Sequence, residues 1–341
     1  MSFGTKEDRI SIYLIPRLRD YIFDELSDEY LDRAGIADIL MGIPIPVRKD
    51  NGASISTLEI ARGMAFIMGC DPEFAYNKNY MEYIQRTFGD TFAGGLLQEG
   101  IRGVERGDVI YGCIQFRAAI QLDPENSDGW YCYGRACQEA YIQGGDEVYV
   151  GRFKAESLEA FELTTIKNPA FADGYYFLGY GYLNLGLYVK AKLTWEEFMK
   201  LSDNEEKKKE IAERLSLLEE PVAIEKGYNL VLSGHYRQGI EALERYKEGK
   251  FSHWWPLWYY LGIAYEQLGL EEEAASHFLE VLKLSPSNLE TMEELVKIYQ
   301  KLGDGEKAEK YKGKIQVIKN NAALDKAEME AAMASPAEIL N

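Results

Sequence analysis

Residues 258–286 read "WYYLGIAYEQLGLEEEAASHFLEVLKLSP". Trp258, Leu261, Gly262 and Tyr265 fall at i, i+3, i+4 and i+7, the spacing of one face of an α-helix. Beyond the turn signal "LGLEEE", Ala274, Phe278 and Val281 fall at i, i+4 and i+7, and Pro286 stops the second run. The stretch therefore predicts two amphipathic helices joined by a tight turn. Its lead-in, "HWWPLWYYLG" at 253–262, raises the alternative of an aromatic stacking pocket. Pro256 suits the first turn of a helix and Trp258 lies on the apolar face, so this tryptophan is assigned to the core.

The same landmarks recur along the chain. Residues 175–198, "YYFLGYGYLNLGLYVKAKLTWEEF", supply Tyr175, Leu178, Gly179 and Tyr182, then Ala191, Trp195 and Phe198. An earlier copy holds Trp130, Tyr133 and Gly134, then Ser157, Phe161 and Pro169. Fainter copies hold Leu96, Gly100, Gly112, Phe116, Ala119 and Pro124; Gly227, Gly239, Leu243 and Tyr246; and Met292, Leu295, Tyr299 and Ala308. Gly100 and Gly134 are 34 residues apart, as are positions 262 and 296, whereas 134 to 179 spans 45 and 179 to 227 spans 48. The longer gaps place insertions near 138–153, read as a loop or helix extension, and 203–220, where "DNEEKKKEIAERLSLLEE" reads as a separate bridging helix.

On these residues the chain resembles the tetratricopeptide repeat, whose pattern is Trp-x2-Leu-Gly-x2-Tyr, then Ala-x3-Phe-x2-Ala, then Pro, over about 34 residues. In the copy at 258–286 only Val281 departs from it. The pattern is a packing recipe: a small residue on the first helix is expected to face an alanine on the second, with large side chains filling the space around that contact. The resemblance implies an all-α fold, an α-α superhelical solenoid of tetratricopeptide-like helix pairs. The array, about six units, would occupy residues 93–314. Residues 1–92 read as an N-terminal helical domain with Ser27, Thr57 and Asp71 as helix caps and an extended "IPIPVRKDNGAS" connection. Residues 315–341 read as a helical or flexible tail that either caps the last repeat or enters the groove.

Composition limits the function. A net charge of −18 on 341 residues repels phosphate backbones and anionic membranes. The longest apolar stretch, "IADILMGIPIPV", is interrupted by Asp38, Pro44 and Pro46, which predicts no membrane insertion and, with four cysteines lacking CxxC spacing, a cytoplasmic protein with reduced thiols. His235, His253 and His277 lack metal-ligand spacing, and no phosphate loop, GxSxG or HExxH occurs. Neither a cofactor, a metal nor catalysis is expected; an enzyme accessory subunit is the remotest alternative. The nearer rival is a peptide-responsive regulator with a DNA-binding N-terminal domain. Against it, residues 1–92 hold 10 Lys/Arg and 15 Asp/Glu, and "DPEFAYNKNYMEYIQ" offers only Lys78 as a cation.

In the resembling family the face opposite the helix–helix contact lines a concave groove. That register implies a lining of Tyr131, Arg135 and Gln138; Tyr176, Tyr180 and Asn184; Tyr228; and Tyr259, Ile263 and Glu266. Tyrosine supplies apolar area with one hydroxyl, which suits a protein or peptide partner bound as an extended segment or helix. The alternative is that these tyrosines pack against neighbouring repeats. Relatives that hold the C-terminal carboxylate of a heat-shock chaperone use Lys and Asn here; Leu97, Tyr131 and Tyr176, and Ile101, Arg135 and Tyr180, stand at those positions instead. The expected function is a non-catalytic scaffold or adaptor, with the N-terminal region docking a second partner, mediating self-association or capping the array.

Overall fold

The computed structural model describes residues 8–49 and 56–334. Among them are eighteen α-helices and two short strands. The N-terminal part comprises α1 (Ser11–Leu14), a 3-10 turn (Ile15–Asp20), β1 (Tyr21–Asp24), α2 (Asp28–Ala34), α3 (Ala37–Leu40), β2 (Ile45–Arg48), α4 (Thr57–Cys70) and α5 (Asn77–Phe88). The pairs that follow are α6 (Thr91–Glu105) with α7 (Val109–Leu122), α8 (Ser127–Gln143) with α9 (Glu147–Lys167), and α10 (Ala172–Asn184) with α11 (Tyr188–Leu201). After a lone α12 (Glu205–Leu217) come α13 (Glu219–Leu232) with α14 (Tyr236–Glu244), α15 (Trp255–Gln267) with α16 (Glu271–Leu284), and α17 (Leu289–Lys301) with α18 (Gly305–Ala334).

The predicted pairs are present, but the packing inside them differs from the expected small-on-small contact. A β-carbon on Gly262 would lie 2.7 Å from the Phe278 ring, and one on Gly100 2.5 Å from the Phe116 ring. Gly134 likewise faces Phe161, with Ala160 beside it, and Gly227 faces Leu243. The missing side chain on the first helix therefore makes room for a large side chain on the second. The turns follow from the same sequence logic. Gly186 and Gly269 adopt φ of 72° and 73°, a left-handed conformation that costs other residues energy, and the following Leu187 and Leu270 N–H groups return 3.0 Å bonds to Tyr182 and Tyr265.

The 138–153 insertion lengthens α8 and α9, leaving a break at Gly144–Asp146, while the 203–220 insertion contains α12. The described part of the tail extends α18, from which Ile315 and Ile318 pack on the core around Phe278, Leu295 and Tyr299. Residues 335–341 lie outside the described residues.

Compact packing divides the chain into residues 1–212 and 213–341, so the expected boundary at 92/93 falls inside the first unit. The cause is close contact: a β-carbon on Gly69 of α4 would lie 2.1 Å from the Ile114 carbonyl oxygen of α7. Arg9 also ion-pairs with Glu156 and Glu159 of α9 at 3.0 and 2.8 Å. Nor is this region wholly helical. Part of the expected connection forms β2, paired antiparallel with β1 from Tyr21↔Arg48 to Asp24↔Ile45; its remainder at 50–54 lies outside the described residues. Ser27 caps α2 as expected. Ser56, rather than Thr57, caps α4, because Glu59 three residues on completes a reciprocal capping box. Asp71 ends α4 instead of starting α5.

Candidate functional site

In the first unit the expected groove residues meet through phenylalanines that the repeat register did not single out. Tyr131 on α8 lies 5.0 Å from Phe171 and 6.0 Å from Phe177, centroid to centroid. Arg135, one turn later and exposed, covers the Phe177 ring at 4.1 Å, with Nη1 3.5 Å from the Tyr131 hydroxyl. Phe177 meets Tyr176 edge-on at 4.9 Å, and Tyr176 meets Tyr180 at 5.2 Å. The result is a continuous half-buried aromatic wall on α8 and α10. Gln138 is half-buried and Asn184 exposed.

Two residues of α12 hold the far end of that wall. Tyr176 donates to Glu210 Oε2 at 2.9 Å, and the Tyr180 hydroxyl donates to the other oxygen of the same carboxylate. Lys207 sits over the Tyr176 ring at 4.9 Å while donating to Asp173 at 2.7 Å. The bridging helix was legible in the sequence, but this role was not. Lys207 and Glu210 are three apart and so share a face, yet nothing in the 34-residue register says which neighbour that face meets. Burial raises the Tyr131 hydroxyl above its ordinary pKa, so it stays protonated and available as a donor.

The remaining expected residues lie in the second unit and are largely committed to packing. Tyr228 stacks on Tyr260 at 4.6 Å, and Tyr259 packs against Phe278 at 5.7 Å. Ile263 is half-buried beside the same core. Glu266 is 8% exposed, and Lys301 of α17 pairs with its carboxylate at 3.1 Å. Trp258 is half-buried, with its indole N–H donating to the Ser252 carbonyl at 2.7 Å and its ring 5.8 Å from His277. The aromatic lead-in is thus structural.

Among the described residues no group of three His, Cys, Asp or Glu is placed to hold a metal, and no helix is long and apolar enough to cross a membrane. All four cysteines are free thiols.

Successive helix pairs, five of them with a first-helix glycine against a large second-helix side chain, define a helix-pair repeat protein. The family model for the tetratricopeptide repeat matches residues 255–288, so the α15–α16 pair with its flanks is a tetratricopeptide repeat. Solved structures similar to it include the TPR domain of P58(IPK), 18% identical, covering 71% of this chain and 68% of that one with a TM-score of 0.39. YrrB, described as a TPR protein with an unusual peptide-binding site, is 16% identical, covering 63% and 97% with a TM-score of 0.29. PilF of Pseudomonas aeruginosa is 13% identical, covering 72% and 99% with a TM-score of 0.30. A search of curated proteins found no match.

Proposed function

We propose that this protein is a non-catalytic scaffold that binds a protein partner, as a peptide or helix, on the aromatic wall of its first unit. The supporting observation is the run Tyr131, Phe177, Tyr176 and Tyr180, half-buried and continuous, with Arg135 exposed at one end and Lys207 at the other. Rings fixed by one another supply apolar area without the entropy cost of ordering flexible chains. Arg135 supplies a planar donor for a partner carboxylate or backbone carbonyl, and Asn184 an amide for peptide backbone. In the second unit the groove residues are engaged in internal contacts, Tyr228 with Tyr260, Tyr259 with Phe278 and Glu266 with Lys301.

The test is affinity purification from the native source with the intact chain, its Arg135→Ala variant and its Tyr131→Ala variant, read by mass spectrometry beside melting curves. A partner retained by the intact chain and lost from both variants at similar melting temperature supports the wall. A partner retained by both places the interaction elsewhere. The same material reports self-association by light scattering.

A further inference from the structure

The first unit also holds a cavity of about 400 Å³ away from the aromatic wall, between the β1–β2 hairpin and helices α4, α6 and α7. Phe66, Leu96 and Gln115 line its buried part, and Tyr21 and Tyr111 its sides. The rings form one apolar surface: Tyr21 stacks on Phe66 at 5.3 Å, and Phe66 meets Tyr111 at 6.0 Å.

Gln115 is the informative residue. It is 5% exposed, lines the cavity, and its amide has no hydrogen-bond partner among the described residues. Its amide atoms are not among the fully buried unpaired ones, so they reach the solvent of the cavity, and a ligand's polar groups can replace water there. The Tyr111 hydroxyl, on the same face one turn earlier, is likewise without a hydrogen-bond partner among the described residues.

The charged lining is balanced. Arg17, Arg48 and Arg62 stand with Asp20, Glu59 and Glu99 around one opening, in a chain whose overall charge is −18. Arg17 is held by Asp108 at 3.0 Å, Arg62 by Glu99 at 3.4 Å, and Glu59 by the capping box of α4. A polyphosphate entering here meets three carboxylates, and a simple cation meets three guanidiniums. A molecule carrying one charge of each sign meets a partner for both.

We propose that this cavity binds a small zwitterion of the amino-acid class, a free α-amino acid or a peptide of two or three residues, with an apolar or aromatic side chain. The carboxylate faces the arginines, the ammonium faces Asp20 or Glu99, and the side chain lies on the Phe66 and Tyr111 rings. Gln115 and Tyr111 hydrogen-bond the carboxylate or the first peptide group. The volume is that of a small-molecule site.

Calorimetric titration of the full chain with L-phenylalanine, L-leucine and L-phenylalanyl-L-phenylalanine tests this, with N-acetyl-L-phenylalaninamide and AMP as controls. Saturable binding of at least one zwitterion is expected, roughly tenfold or more tighter than the uncharged control, which lacks both ionic partners. Tyr111→Phe, which keeps the ring, is expected to weaken it severalfold without moving the melting temperature, and Arg48→Ala, at the exposed rim, to weaken it severalfold as well. Gln115→Met is expected to abolish it. Binding of the dipeptide alone identifies a peptide source, and binding of the amino acids a metabolite source. No heat from any zwitterion, equal binding of the uncharged control, AMP bound in preference, or affinity unchanged in all three variants overturns the proposal.

Discussion

Gly179 and Trp195 meet so closely that a β-carbon on the glycine would sit 2.2 Å from the indole Nε1, which itself donates to the Tyr176 carbonyl at 3.1 Å. The indole is fully buried between α10 and α11 and has nowhere to retreat. Gly179→Ala is therefore expected to displace the ring and its hydrogen bond, lowering stability by about 1–3 kcal/mol. Gly262→Leu, which drives a larger side chain into Phe278, is expected to cost at least as much. Urea denaturation measures both, and a midpoint unchanged in either would contradict the packing described.

Tyr176 and Tyr180 have two separable roles. Their Phe variants remove donors to Glu210 and keep the rings, so stability is expected to fall by about 1 kcal/mol each while partner affinity holds. Their Ala variants remove the rings and are expected to weaken the partner by about 1–3 kcal/mol each. Measuring melting and affinity together decides: a melting loss with unaltered affinity in the Ala variants assigns the rings to internal packing alone.

His277 is expected to make the second unit sensitive to mild acid. Burial first, then the charge of nearby Lys247, pushes its pKa down from 6.5 to about 4, against opposing effects of Glu244, Glu280 and Glu273. Between pH 6.5 and 4 the unfolded chain binds a proton there that the folded chain does not, so its contribution to stability falls as pH falls through this window. Substituting His277→Gln should flatten that part of the profile in urea titrations from pH 7 to 4. An unchanged slope would show that another group dominates.

Arg117 ties the N-terminal segment to the first repeat through Asp8, Ser11 and the Gly69 carbonyl, and only 8% of its side chain is exposed. Asp8→Ala leaves a buried guanidinium without its carboxylate, for an expected loss of about 1–3 kcal/mol. The readout is the urea midpoint; if it stays put, the segment contributes little to the unit.

Residues 1–92, with their excess of acidic side chains, are expected to give the intact chain no capacity to retard duplex DNA at physiological salt. A salt-resistant gel shift would return the DNA-binding regulator to consideration.

The sequence by itself determined the repeats. Helical periodicity, the Leu-Gly-Leu turns and the small landmarks at Gly100, Gly134, Gly179, Gly227 and Gly262 are local properties, repeated often enough to be read without a fold. They also gave α12 as a helix; Trp258, assigned to the core, is instead half-buried with its indole N–H bonded to the Ser252 carbonyl. What lay across from each landmark was not local. The large residue beneath each glycine depends on how the two helices of a pair meet, and Lys207 and Glu210 on the tyrosine wall and Lys301 on Glu266 depend on how a pair meets the next helix. The N-terminal region shows the limit most clearly. Its composition reads as helical, but the pairing of β1 with β2 joins residues more than twenty positions apart, and the fit of Gly69 against Ile114 joins it to the first repeat. The cavity around Gln115 arises from that docking: on α7 the residue looks like one more polar position on a helix, and only the β1–β2 pair and α4 make it the lining of a cavity.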